Sequence, residues 1–186
     1  MFKTKIKNKE TGETTICNVR LNKNGERCYY SIEDENVVYD KNLYDEIQFT
    51  PYELFGIECL DGWKELYEPV IAYVNEYNKD KNEKDKLIIH QIKEKWGKLD
   101  FHFNFYTEEL MKLVNNARNE SGKVCEKCGS RDNVGMTISG WHQTICLECL
   151  KKERDIDGID VWMRNDDSKI YIVRPNGDME VAENKK

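Results

Sequence analysis

The chain has 186 residues, 34% charged and 39% apolar, with a formal charge of −6. That length suits one domain, or one domain with a small appendage, and no apolar run approaches the roughly 18 residues of a membrane helix. The start, Met1-Phe2-Lys3-Thr4-Lys5-Ile6-Lys7, lacks the apolar region of a secretion signal, so a cytoplasmic protein with reduced cysteines is expected.

Residues 1–60 read as a β-rich region. Residues 2–7 alternate, Thr15, Cys17, Val19 and Leu21 share one face, and Asn24-Gly25 is a turn signal before Cys28, Tyr30 and Ile32. Pro51 is placed to open a short helix that Gly56 ends. Cys17, Cys28 and Cys59 lie among apolar or aromatic neighbours, where a reduced thiol acts as a small hydrophobe.

Residues 61–123 predict three helices and one strand. Trp63, Leu66, Tyr67, Val70, Ile71, Val74 and Tyr77 recur at helical spacing, and Pro69 predicts a kink or a restart of that helix. After a polar loop at 78–85, residues 87–96 read as a second helix, with Ile88, Ile92 and Trp96 in line and Gly97 ending it. Leu99, Phe101, Phe103 and Phe105 then alternate with Lys98, Asp100, His102 and Asn104, the pattern of a strand with one buried aromatic face. Thr107 caps the third helix, Glu108 and Glu109 favour its dipole, and Gly122 closes it.

Residues 124–154 carry the clearest chemical signal. Cys125 and Cys128 form one Cys-x-x-Cys pair, Cys146 and Cys149 another, and 17 residues separate the pairs. That spacing is expected of a four-thiolate zinc site, closed by four protein ligands and therefore structural. Gly129 permits the tight turn after the first pair, residues 134–138 and 141–145 can form a hairpin turning at Ser139-Gly140, and a helix through 151–154 would begin at the second pair. Turn, hairpin and helix in that order predict a treble-clef-like zinc module. Residues 155–186 predict strands at 159–163, 169–173 and 179–181, with turns at 165–167 and Asn176-Gly177 and a frayed end at 183–186. The fold class expected is α+β, with short antiparallel strands at both ends.

The acidic total argues against a general nucleic-acid binder, but Lys79, Lys81, Lys84, Lys86, Lys93, Lys95 and Lys98 form a local basic excess. Lys93, Lys95, Trp96, Lys98 and His102 are therefore candidate binding residues for a phosphate, a nucleotide or an acidic partner; the plainer reading is a solvated face. His90, His102 and His142 fall on different predicted elements, and no Ser-His-Asp order, phosphate loop or metal-carboxylate cluster appears. The sequence is thus expected to be non-catalytic. A treble-clef nuclease built on His142 is the enzymatic alternative.

Gly62-Trp63, the run Gln91-Ile92-Lys93-Glu94-Lys95-Trp96-Gly97, Cys125-Glu126-Lys127-Cys128-Gly129 and Gly140-Trp141 before the last cysteine pair resemble a family of poorly characterised phage and prophage proteins. The resemblance covers roughly residues 61–150 and carries no established chemistry. Asp100 stands where a basic residue is expected, and Cys149 where some relatives use His, either being a competent metal ligand. It implies a phage-encoded protein acting in the host cytoplasm. Three functions remain: contact with a protein partner such as a host or defence factor, nucleic-acid or nucleotide binding through 79–98, and metal-dependent nuclease action.

Overall fold

The computed structural model of the chain describes residues 2–138, 140–153, 160–165, 169–174, 176 and 178–182. Among them are three sheets and four α-helices in an α+β arrangement, with every strand pair antiparallel but one. Ser139, Arg154, Ile159, Asp166, Asp167, Gly177 and the expected frayed end at 183–186 lie outside the described residues. No described helix is long and apolar enough to cross a membrane.

The alternating start of the chain forms β1 (Phe2–Asn8), β2 (Thr14–Leu21), β3 (Arg27–Ser31), β4 (Val38–Tyr39) and β5 (Tyr44–Ile47), in the order β4-β3-β2-β1-β5. Asn22 Oδ1 accepts the N–H groups of Asn24 and Glu26 at 2.9 Å, and Gly25 takes the positive φ that the β2–β3 turn needs. The register puts Ile6, Cys17, Val19 and Tyr29 into one buried cluster. The sheet curls until β4 approaches β5, where the Tyr39 and Tyr44 rings meet edge to face at 5.3 Å.

Helix α1 (Pro51–Phe55) follows with a full capping box between Thr50 and Glu53, and Gly56 ends it. The strand β6 (Ile57–Glu58) and a 3-10 turn at Asp61–Trp63 lead into α2 (Lys64–Asn78). Of the two outcomes expected at Pro69, the helix restart does not occur: Pro69 lies inside the continuous α2. Proline removes one helical hydrogen bond, but Tyr67 on one side and Val70 and Val74 on the other are all buried, and that shared apolar stripe keeps the helix continuous.

A second correction concerns residues 87–96, which form strand β7 (Ile89–Lys95) rather than a helix. The centre of the molecule therefore has two long helices, α2 and α3 (Glu108–Ser121), with β7 paired to β8 (Lys98–Phe103). A register shift between Ile89 and Gln91 explains the misreading. Ile89 and Ile92 both face the core although three apart, so a β-bulge mimics helical spacing. Ile88 and Trp96, expected on the apolar helix face, are exposed. Trp96 and Gly97 both take positive φ, 55° and 72°, and make the two-residue turn that joins β7 to β8.

Leu99, Phe101 and Phe103 of β8 are buried as expected, in one core with Trp63, Tyr67, Val70 and Leu110. Strand β8 is a sheet edge, and neighbouring side chains occupy its outward groups: Ser121 Oγ accepts the Leu99 N–H, and the Tyr106 hydroxyl donates to Phe101 O, both at 2.9 Å. The Thr107 hydroxyl caps α3 by accepting the Leu110 N–H at 3.1 Å.

The third sheet joins the cysteine-bearing hairpin to the carboxyl-terminal strands. It contains β9 (Val134–Thr137), β10 (Thr144–Cys146), β11 (Asp160–Arg164), β12 (Ile170–Val173) and β13 (Met179–Val181), in the order β10-β9-β11-β12-β13, with α4 (Leu147–Glu153) following β10. Trp162 on β11 is buried with Val134, Ile145 and Leu150, and its indole N–H donates to Ile145 O at 3.2 Å.

Backbone contacts lock this sheet to the central core. The Gly62 N–H donates to Glu126 O and the Trp63 indole N–H to Val124 O, each at 2.8 Å, while the Thr144 hydroxyl donates to Gly97 O at 2.5 Å. A Cβ on Gly62 would lie 2.3 Å from Cys125 O and 2.4 Å from Glu126 O, against backbone that cannot swing away. Gly62→Ala is expected to cost about 1–3 kcal/mol in denaturant unfolding, the usual scale of overpacking; an unchanged midpoint would show that this junction is loose.

Candidate metal centre and adjoining aromatic groove

The two cysteine pairs meet because each sits on a tightly bonded corner. At the first, the Cys125 N–H donates to Ser130 O at 2.8 Å, the Gly129 N–H returns to Cys125 O at 2.9 Å, and Gly129 takes φ 76°. At the second, Cys146 ends β10 and Cys149 lies in the first turn of α4, its N–H 3.5 Å from Cys146 Sγ. The four sulfurs all lie within 4.8 Å of one another, and Cys128 Sγ is 3.7 Å from Cys146 Sγ. A tetrahedron of sulfurs about 2.3 Å from a central ion has edges of about 3.8 Å. The four cysteines thus have the spacing to hold a metal ion.

Their electrostatics point the same way. Burial pushes the Cys146 and Cys149 thiols up, and the close neighbouring thiols push Cys149 further. Burial also opposes ionisation of Cys128, but the Ser130 N–H and the adjacent thiols outweigh it and hold Cys128 below its usual value. Four sulfurs this close cannot all ionise unless a cation supplies the compensating charge.

Of the five candidate binding residues expected from sequence, Lys93, Lys95 and Trp96 line one cleft, and Lys98 and His102 lie outside it on the adjoining hairpin face. The pairs Lys93–Asp100 and Lys95–Lys98, together with Gln91–His102, put Lys93, Lys95, Lys98 and His102 on one face of the β7–β8 hairpin, and Trp96 sits at its tip. Asp100 is buried in the middle of that face and is compensated from three sides: Arg118 Nη1 at 3.2 Å, His102 Nε2 at 3.0 Å and Lys95 Nζ at 3.7 Å. The earlier part of the basic run is separate. Lys79 pairs with Glu76, Lys86 with Glu83, and Lys81 lies 4.9 Å from the Tyr77 ring centre.

Beside this face, the loop of the cysteine hairpin approaches the hairpin tip. Trp96 is 69% exposed and Trp141 is 76% exposed. The His142 ring centre lies 5.4 Å from that of Trp96, tilted by 50°, and its Nδ1 is 3.1 Å from Thr137 O. These residues with Lys93, Glu94, Lys95 and Gly140 line a cleft of about 420 Å³. A second cleft of about 620 Å³ adjoins it at Lys93, Glu94 and Trp141 and continues past Glu58, Cys59, Gln91 and Glu126.

Trp141, Glu58 and Glu94 are groove residues to which the sequence alone assigned no binding role, although Glu94 and Trp141 lie in the motifs that carry the resemblance. A usable signal was present at Trp96-Gly97, because a two-residue turn with both φ positive favours Asn or Asp before Gly, and a tryptophan there is strained. In the second cleft, burial pushes the Cys59 thiol up to about 12, helped by the charges of Glu126, Asp61 and Glu94, and burial likewise raises the Glu126 carboxyl, which accepts the Leu60 N–H at 3.2 Å.

Comparison with protein-family models, with curated proteins and with solved structures gives no match. The functional reading therefore rests on this chain's own residues.

Cys125→Ser is expected to lower unfolding stability by roughly 3 kcal/mol or more, the scale of losing a structural metal. Chelator should reproduce the loss in the unaltered protein and add nothing to the variant; an additive effect would place any bound metal elsewhere. A separate pH effect follows from Cys59. Its folded-state value of about 12 exceeds the ordinary 9.0, so both states are protonated below about 9 and the unfolded state ionises first above it. Alkaline destabilisation between about 9 and 12 should therefore shrink in Cys59→Ala, as read by unfolding midpoints across that window.

Proposed function

We propose that this chain is a zinc-stabilised, non-catalytic binding protein that acts by contacting a protein partner through the Trp96–Trp141 groove. The observation that carries this reading is the pair of exposed indoles on one cleft, with Trp96 held in a backbone conformation unfavourable to bulky residues. Exposed aromatic clusters in a polar surface mark interaction sites, and tryptophan is enriched among residues that dominate binding energy.

Zinc suits four thiolates at tetrahedral spacing, and a closed sulfur set gives it a structural task. Gly129, the β9–β10 hairpin and α4 follow one another in the order of a treble-clef-like module. The metal would fix β10 and hence the loop that carries Trp141 and His142. A reducing cytoplasm keeps such thiolates available. If the chain is phage-encoded, as its resemblance implies, a host factor, including a defence protein, is the natural target.

Nucleic-acid or nucleotide binding is the second reading, favoured by Lys93, Lys95, Lys98 and Trp96 sharing one region. Stacking on Trp96 with lysines on phosphate would weaken steeply as salt rises. The acidic residues of the adjoining cleft oppose a continuous polyanion. The nuclease reading has less support, since His142 is engaged by Thr137 and Trp96, and the four cysteines are the metal-ligating cluster found among the described residues.

Capture from a bacterial lysate with the full chain tests the proposal. Retained proteins should resist nuclease treatment and fall by about tenfold with W96A combined with W141A, the effect of removing two central aromatic contacts. Capture that is equal with the double variant, or that disappears after nuclease digestion, would contradict it.

A further inference from the structure

The two adjoining clefts form one groove whose charge changes sign along its length. Lys95 and Trp96 stand at one end, Glu58 at the other, and Lys93, Glu94 and Trp141 at the waist where the clefts meet. This arrangement is fixed by the backbone. Glu58 and Lys93 are opposite one another across the β6–β7 pair, Gln91 Nε2 donates to Glu58 Oε2 at 2.6 Å, and Glu94 Oε1 accepts the Gly97 N–H at 2.6 Å inside the Trp96 turn. The same glutamate that shapes the Trp96 turn therefore faces both clefts.

A binding surface of alternating sign selects against a ligand of uniform sign. A phosphate chain seated on Lys93 and Lys95 would run onto the Glu58 and Glu94 carboxylates if it followed the groove, and like-charge juxtaposition is costly. A wholly basic segment meets the opposite obstacle at Lys95. The volumes, about 420 and about 620 Å³, are those of sites that enclose a drug-sized ligand or a few residues of chain. The exposed indoles offer flat apolar faces at the basic end and the waist, suited to an aromatic or long aliphatic side chain.

Resting on the reading of this groove as the protein-contact surface, we infer that its occupant is an extended segment of the partner carrying both signs of charge. The segment sets an aromatic or long apolar side chain against Trp96 and Trp141, a carboxylate toward Lys93, with Lys95 beside it although its ammonium also lies 3.7 Å from Asp100, and a lysine or arginine toward Glu58 and Glu94. Either chain direction satisfies this chemistry. Affinity comes from the apolar anchor, and the paired charges fix where along the groove the anchor falls.

The test is fluorescence anisotropy with the full-length protein and four dye-labelled probes. Three are peptides sharing a Trp-Leu centre: one flanked by Asp-Glu on one side and Lys-Arg on the other, one flanked by acidic residues alone and one by basic residues alone. The fourth is a short oligothymidylate. The mixed peptide is expected to bind at least about tenfold tighter than each of the others; Trp141→Ala should cost it about tenfold without altering the unfolding midpoint, and Glu58→Gln, which keeps an acceptor for Gln91, should weaken the mixed peptide while leaving the acidic one unchanged. Equal or tighter binding of the acidic peptide or the oligothymidylate would overturn the inference in favour of an anion site, and equal binding of all probes or of none would overturn it as well. If no peptide binds while lysate capture remains dependent on the two tryptophans, the segment chemistry falls and the contact surface stands; if capture is independent of them, the contact surface itself falls.

Discussion

Four sulfurs drawn within 4.8 Å of one another are the constraint on which the rest of the carboxyl-terminal half depends. They tie a loop before β9 to the end of β10 and the start of α4, segments that bury only a modest apolar cluster around Trp162. A core of that size is marginal alone, and small modules commonly need a metal or disulfide to hold. The cysteine turn also anchors the central core, since Gly62 and Trp63 donate to the carbonyls of Glu126 and Val124 on either side of Cys125. Loss of the sulfur cluster would therefore loosen both sides of the groove at once.

The groove is the place where the molecule departs from its own economy. Trp63, Phe101 and Phe103 are buried in the core and Trp162 fills the third sheet, while Phe55, Phe105 and Tyr106 are exposed singly. Trp96 and Trp141 are instead turned outward on loops that meet, one of them at positive φ. Water-exposed indole forfeits the stabilisation that burial would give, on the order of 2–3 kcal/mol for a large apolar side chain, and the strained turn adds to that cost. The proposed contact would offset both costs. The buried Asp100 has the opposite character: Arg118 and Lys95 lie within ion-pair distance and His102 Nε2 within hydrogen-bond distance of its carboxylate, which makes this part of the basic face a compensated structural network as much as a ligand surface.

The parts of the fold that were legible in the sequence were those governed by local rules. Cysteine spacing brought four residues together across the chain, alternation found β8 and its aromatic face as far as Phe103 though not Phe105, Thr107 and Pro51 marked helix starts, and Asn24-Gly25 marked a hairpin. Strand β7 was misread because a bulge replaced period two with a spacing of three between Ile89 and Ile92. Pro69 does not restart the helix, because tertiary burial on both sides of it outweighs one missing hydrogen bond. Of the candidate residues, Lys93, Lys95 and Trp96 were expected on a helix and Lys98 and His102 on the strand after it; the β7–β8 register instead sets Lys93, Lys95, Lys98 and His102 on one hairpin face with Trp96 at its tip. Trp141 and Glu58 were out of reach, because only long-range packing sets the cysteine hairpin beside the β7–β8 tip.

We propose that this sulfur cluster carries a metal that organises what surrounds it. The decisive measurement is elemental analysis of freshly purified protein, expressed without added metal and normalised to protein by amino-acid analysis. Zinc is expected at about one ion per chain, falling toward zero when the cysteines of either pair are replaced. Protein that is folded and free of any stoichiometric metal would contradict it.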